Sequence, residues 1–452
     1  MRRIFTPFAL LILSNFVHAQ DEWMAMYLQG KKVGYSSFES KTVATGRFSE
    51  SVSVFNGKML GSDLSIKITN RTWSDKELRA TRMEFDLESG GKLQKVVATF
   101  DATSINATSE MGGRKTKKSI PVPTGAFITD DAMTLFLHGQ PPKDIYVFDP
   151  NTLELVRCEP KEAGKETVDT PLGKVEATVI DVRDPRAPMK IYLSAKGDFI
   201  KATGPFGLEI RPATKQEALA TGEMVDIAVA SSITPDKEIE DFLNTKTLNL
   251  RFTGADLSKL PSDAHQTVTK DGDGWVVKIH PVRPDEVESS NKLAPSEWIL
   301  DDIHIPCTQQ KFIDLSRSIA GMNLPQIVRA EKIRLYVHGK IKANAGIGVL
   351  RDADDILATS DGVCRDHAIL MATLLRADGI PTRLVSGLVY GMGAFYYHAW
   401  VEIWTGEEWL GLDSTRPTPA IDATHIKIGQ GTVGQAFTSF LLDGAKITVI
   451  NP

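Results

Sequence analysis

A cysteine, a histidine and an aspartate follow one another at Cys364, His398 and Asp413. They are the three residue types of a thiol acyl-transfer site: a nucleophile, a base and the acid that orients the base. The cysteine lies in Asp361-Gly362-Val363-Cys364-Arg365-Asp366-His367-Ala368, the histidine in Tyr397-His398-Ala399-Trp400-Val401-Glu402, and the aspartate closes Trp409-Leu410-Gly411-Leu412-Asp413. A thiol reacts as its thiolate, so a reactive cysteine needs a lowered pKa. Gly362 can turn the chain into a helix whose first turn holds Cys364. There the unpaired N–H groups and the helix dipole favour an anion and could also hold the oxyanion of a tetrahedral intermediate.

The elements that must position these residues can be read around them. From Ala368 to Leu375 only Thr373 is polar, the pattern of a helix buried in the middle of a domain. Gly379 ends it and Pro381 prevents its continuation. Thr382 to Tyr390 and Phe395 to Thr405 read as strands separated by Gly391 and Gly393. Alternation places His398, Trp400, Glu402 and Trp404 on one face, which makes Glu402 a candidate support for His398. A two-residue loop at Thr405-Gly406 would pair Trp404 with Glu407, Glu402 with Trp409 and His398 with Asp413, their Cβ atoms about 5 Å apart. Thr-Gly is not the strongest turn pair, and a slip of two residues would leave the histidine and aspartate as diagonal neighbours.

The combination Gly362-x-Cys364-x-x-His367-Ala368, Leu374-Leu375-Arg376-Ala377-x-Gly379-Ile380-Pro381-x-Arg383, His398-Ala399-Trp400-x-Glu402 and Trp409-x-x-x-Asp413 resembles the core of the transglutaminase-like superfamily, of papain-like fold. The resemblance covers about the last third of the chain. It implies Cys364 as nucleophile, His398 as base and Asp413 as orienting acid. Bacterial members commonly carry an acidic residue where this chain has Val363, a departure that leaves the triad intact. The superfamily includes transamidases, peptidases, deamidases and inactive members, so the resemblance does not choose the acyl acceptor.

The fold class expected is α+β: a β-rich antiparallel domain over residues 20–222, a β-rich intermediate segment over 223–297, and a papain-like transglutaminase core, helices on an antiparallel sheet, over 298–452. The first domain reads as strands from Trp23 to about Pro212, curved into a half-barrel, with its strongest hairpin signal at Asn56-Gly57. Thr214 to Gly222 reads as a short helix closing it. Asp271-Gly272-Asp273-Gly274 resembles a calcium loop but lacks its distal glutamate, so a turn is expected. The polar stretch from Pro281 to Pro295 reads as a boundary. Helices are expected at Thr308 to Met322, Pro325 to Lys342 and Asp352 to Ala358, and strands at Ala420 to Ile428 and Ala445 to Ile450. Asp422 and His425 read as a surface-loop and a strand residue rather than part of the cleft rim.

Met1 to Ala19 has Arg2 and Arg3, a mainly apolar run and Val17-His18-Ala19, the layout of an export signal cleaved after Ala19. A periplasmic or extracellular protein without a stable membrane anchor after cleavage is therefore expected. With 42% hydrophobic and 24% charged residues the chain is globular, and a net charge of −5 gives no reason to expect a nucleic-acid partner. Of three cysteines, Cys158 and Cys307 could pair, although core thiols are the simpler reading. His367 with Cys364 is too sparse for a zinc site, and nothing in the triad calls for a metal or an organic cofactor. The expected partner is a peptide or protein substrate whose amide is attacked by Cys364. The alternative is an envelope binding scaffold that keeps the fold without the chemistry.

Overall fold

The computed structural model describes residues 22–451 except 131–134, 136–141, 171–172, 185, 285, 288–295, 322, 418–420 and 438–441. The expected export signal lies outside the described residues, as does part of the stretch from Pro281 to Pro295. The chain is α+β and divides into two compact units. One runs through Asp226 and includes Gly346–Leu350; the other comprises Ile227–Ala345 and the chain from Arg351.

The first unit is built on strands whose side chains alternate between core and solvent. In Ser62–Ser74, for example, Leu64, Ile66 and Ile68 are buried while Asp63, Ser65 and Lys67 point away from the core. Among the described residues thirteen strands form one sheet, each paired antiparallel with its neighbours. Glu22–Leu28 sits between Lys31–Val43 and Leu208–Ala213. The short helix Lys215–Leu219 follows, capped by the Thr214 side chain, which accepts from the Glu217 N–H.

The Asn56-Gly57 hairpin is not formed. Gly46–Met59 runs straight through it, and the chain turns at Leu60-Gly61 instead, with φ of 51° and 79°. The Asp226 carboxylate holds that turn, accepting from the N–H of Leu60 at 3.1 Å and of Gly61 at 2.7 Å. Gly57 serves a different need: a Cβ there would lie 2.9 Å from the Val225 carbonyl oxygen. A glycine read as a turn signal is thus a close-approach residue.

The second unit begins in what was expected to be an intermediate segment. Leu248–Thr253, Gln266–Asp271 and Gly274–Ile279 form an antiparallel sheet with Lys446–Asn451, and Asp271-Gly272-Asp273-Gly274 is the tight turn between two of its strands. Leu250, Phe252 and Val277 share one core with Leu388, Phe395 and Ile426 of a second sheet, so the segment is built into this unit.

That second sheet carries the site. Its strands are β1 (Thr382–Gly391), β2 (Ala394–Trp404), β3 (Trp409–Leu412) and β4 (Ile426–Gly431), in the order β3-β2-β1-β4, all antiparallel. The helices are α1 (Gln310–Ala320), α2 (Gln326–Lys340), α3 (Ala353–Thr359) and α4 (Cys364–Ala377). Helix α4 lies against β1 and β2 and is covered by the other three, so every residue from Cys364 to Arg376 is buried. It ends as expected at Gly379, φ 77°, where the Ile380 N–H donates to the Leu375 carbonyl at 2.9 Å.

Candidate active site

Cys364 is the first residue of α4. The preceding Val363 has no side chain that can cap, and Asp366 does the work from within the first turn, its Oδ2 accepting the Val363 N–H at 2.8 Å. Asp366 is held in turn by the buried Arg351, whose Nε donates to Oδ1 at 3.3 Å and whose Nη2 donates to the Asp361 carbonyl at 2.5 Å. Gly362 fits under this arrangement because it has no side chain; a Cβ would stand 2.6 Å from the Asp366 Cβ. We therefore expect Asp366→Ala to cost roughly 1–3 kcal/mol through the lost cap and the partner taken from Arg351, read as a lowered urea midpoint. An unchanged midpoint would mean that the turn holds without it.

His398 lies in β2, and its Nε2 donates to Asp413 Oδ2 at 2.8 Å. A proton on Nε2 leaves Nδ1 unprotonated in the neutral ring, so the second nitrogen is the one able to take a proton. The next residue reaches the candidate nucleophile: the Ala399 backbone N–H donates to the Cys364 sulfur. Asp413 is fixed through both oxygens. Oδ1 accepts from the Thr415 N–H at 2.7 Å, and Oδ2 accepts from Thr415 Oγ1 at 2.9 Å as well as from His398.

The register that brings His398 to Asp413 is the slipped one. Trp404 pairs with Trp409, Glu402 with Gly411 and Val401 with Leu412, so Asp413 is a diagonal neighbour reached just past the end of β3. The reason is a four-residue turn. The Thr405 N–H donates to the Glu408 carbonyl at 3.0 Å, Thr405 Oγ1 bonds the same carbonyl at 2.9 Å, and the rings of Trp404 and Trp409 pack 5.4 Å apart.

Burial governs the electrostatics. It pushes the Cys364 thiol up to about 12 and the His398 imidazole down, so the resting pair is neutral thiol and neutral imidazole. Burial also acts to raise Asp413, but His398 and His425 outweigh it and hold the carboxyl well below the usual range. His367 is pushed down to about 4 by burial and lies 3.3 Å from Ser414 Oγ through Nδ1, a support for the loop after Asp413.

Several neighbours were not foreseen. Arg334 of α2 is fully buried and donates to the carbonyls of Asp413 at 3.0 Å, Arg416 at 2.6 Å and Pro417 at 2.6 Å, pinning the loop that carries the aspartate. The signal was an arginine among the apolar positions of α2. Asp422 and His425, expected on a loop surface and in a strand, are both buried. The strand starts only at Ile426, because Asp422 Oδ1 accepts from the Thr424 N–H at 2.8 Å and Oγ1 at 2.6 Å, which holds a turn there. His425 Nε2 lies 3.5 Å from Asp413 Oδ2. Glu402 does not support His398: it accepts from Arg383 Nε at 2.8 Å, Arg383 Nη2 at 2.6 Å and Lys427 Nζ at 2.9 Å.

His398, Asp413 and His425 place donor atoms within 4.8 Å of one another. These donors face each other through hydrogen bonds, and the Arg416 guanidinium stands 3.8 Å from the shared carboxylate oxygen. The donors are engaged with one another and with Arg416, so the set is a hydrogen-bonded charge array. Among the described residues Cys158, Cys307 and Cys364 are all free and buried.

Residues 313–414 match the model of the transglutaminase-like superfamily, a stretch that contains Cys364, His398 and Asp413. Residues 24–202 match a family described as a protein of unknown function, DUF3108. By sequence the chain is similar to an uncharacterized protein of Mycobacterium tuberculosis, 25% identical over 199 residues, covering 38% of this chain and 62% of the relative. The chain thus spans about three fifths of that relative's length. It is also similar to a protein-glutamine gamma-glutamyltransferase of Pseudomonas aeruginosa, 40% identical over 73 residues, 14% of this chain and 11% of the relative. Among solved structures it is similar to a proposed cysteine protease from Cytophaga hutchinsonii, with a TM-score of 0.32 at 16% identity, covering 45% of this chain and 81% of that one. Another is a beta-barrel-like protein from Brucella abortus, TM-score 0.31 at 12% identity, covering 46% and 98%.

Proposed function

We propose, from a C-terminal region that belongs to the transglutaminase-like superfamily, that this chain is an exported thiol-dependent enzyme that attacks amide bonds of a peptide or protein. The observation that carries the reading is the pair of contacts at adjacent residues. His398 is tied to Asp413 through Nε2 at 2.8 Å, and the Ala399 N–H meets the sulfur of Cys364.

The chemistry starts from a neutral pair. As the Cys364 sulfur bonds to the amide carbonyl carbon, His398 Nδ1 takes the thiol proton and the carbonyl oxygen becomes an oxyanion. The Cys364 backbone N–H, first in α4 and without an intrahelical acceptor, is the candidate donor to that oxygen. Collapse breaks the C–N bond, and the proton on Nδ1 goes to the departing amine or ammonia. Water or a second amine then adds to the thioester carbonyl and gives a proton to Nδ1. The C–S bond breaks and the proton returns to sulfur. Asp413 stabilises the imidazolium throughout. Export rests on Arg2, Arg3 and the apolar run before Ala19.

Ammonia release from glutamine-containing peptides, and new amine termini from the same peptides, separate side-chain from backbone attack. Both are measured with and without an added primary amine, which distinguishes transfer from hydrolysis. We expect one of these products from the wild-type protein and none from Cys364→Ala. The same product yield from both proteins would exclude Cys364 as nucleophile. No product across a broad peptide set would favour the binding-scaffold reading.

A further inference from the structure

The carboxylate that orients His398 is gripped by a second histidine. His425 is fully buried, with Nε2 3.5 Å from Asp413 Oδ2 and Nδ1 3.2 Å from Asp422 Oδ1. Asp422 is itself tied to Arg416 by an ion pair. The His425 ring stands 5.2 Å from the ring of Trp400, edge to face, and 6.1 Å from that of His398. A neutral imidazole has one N–H and donates to one carboxylate; only the imidazolium donates to both, whereas an unprotonated Nδ1 would instead accept from the Asp422 N–H at 3.3 Å.

We propose that His425 is a positioning residue for the acyl transfer assigned to Cys364, holding the Asp413 carboxylate in place for His398 as one member of a second, buried Asp422–His425 pair. The inference rests on the reading of Cys364, His398 and Asp413 given above.

The charged and titratable groups facing His425 come from three parts of the chain. Asp413, Arg416 and Asp422 lie on the same connection between β3 and β4 as His425, and His398 lies on β2. His265, just before the strand Gln266–Asp271, meets the His425 carbonyl through Nε2 at 2.6 Å. Burial acts to discharge His425, but Asp422 and Asp413 outweigh it and raise its pKa, against the opposing charge of Arg416. The positive ring in turn acts to lower the pKa of His398. Removing it has two consequences: Asp413 loses a restraint, and His398 keeps its proton to higher pH.

The test is the rate at which iodoacetamide alkylates Cys364, resolved by peptide mass spectrometry from pH 5 to 10, in the full chain. His398→Ala is the control for the underlying reading: if its profile superimposes on wild type, the triad assignment fails and this proposal with it. Given a changed control, His425→Leu is expected to slow labelling by roughly ten-fold or more and move the lower inflection up by about one pH unit. His425→Gln, which keeps a donor but not the charge, is expected to regain the rate and not the inflection. A lost fold would slow or speed labelling without that split. Asp422→Asn, which leaves the histidine in place and weakens its hold, is expected to give the same upward shift in smaller measure. Wild-type profiles in His425→Gln and Asp422→Asn, beside a changed His398→Ala, would overturn the role of His425 alone.

Discussion

His398→Ala is expected to lower the turnover of an amide substrate by about 10²–10⁴-fold while leaving substrate binding nearly unchanged. A positioned general base contributes in that range, and in the proposed mechanism one ring does two jobs. Its Nδ1 must take a proton from a thiol that burial holds up to about 12, and later deliver one to the leaving nitrogen. Without the ring, water would have to enter a site in which Cys364 is fully buried. Asp413→Asn should cost less. Both aspartate oxygens accept hydrogen bonds, Oδ1 from one donor and Oδ2 from His398, Thr415 and His425. The asparagine amide nitrogen would settle where only the Thr415 N–H is displaced, which preserves the His398 tautomer but removes the charge that stabilises its imidazolium. The two variants should therefore rank His398→Ala below Asp413→Asn in kcat, with similar KM. The reverse order would mean that the carboxylate, not the imidazole, dominates the site.

Glu402→Ala is expected to be the most destabilising single change in this unit. The carboxylate is fully buried and is the shared partner of Arg383 and Lys427. Removing it leaves two cations with Asp263, which pairs with Lys427 and lies 3.6 Å from Arg383 Nη2. Breaking a buried ion pair from one side costs about 3–5 kcal/mol, a large share of the roughly 5–15 kcal/mol that a folded domain has in hand. Urea unfolding of this variant should show the loss, whereas Cys364 alkylation in the fraction that remains folded should match wild type. A variant that folds normally yet loses thiol reactivity would return Glu402 to the site.

What the sequence revealed, and what it hid, follows from the range of the interactions involved. Helix α4 was legible because its apolar run, Gly379 and Pro381 are local signals. The neighbourhood of His398 and Asp413 was legible to within a slip of two, and the slip turned on Thr405, whose hydroxyl closes a four-residue turn that composition alone does not announce. Asn56-Gly57 misled for the opposite reason: Val225 and Asp226, far along the chain, decide where that strand bends. Glu402 was placed on a shared face, but its partners Arg383 on β1 and Lys427 on β4 draw it away from His398. His425 and Asp422 form a local pair three residues apart, yet nothing in that spacing says that the loop folds back onto Asp413. Arg334 stands among the apolar positions of α2, and nothing in the sequence indicates which carbonyls it would pin.

Leu248–Thr253 pairs on one side with Gly274–Ile279 and on the other with Lys446–Asn451. Most strands of the thirteen-stranded sheet, by contrast, pair with the next in sequence. As the chain is made, the first unit can therefore assemble nearly strand by strand. The unit that holds Cys364 cannot finish the sheet of Leu248–Thr253 until Lys446–Asn451 is made. Cys364 is thus made before the sheet that shares a core with β1, β2 and β4 can close.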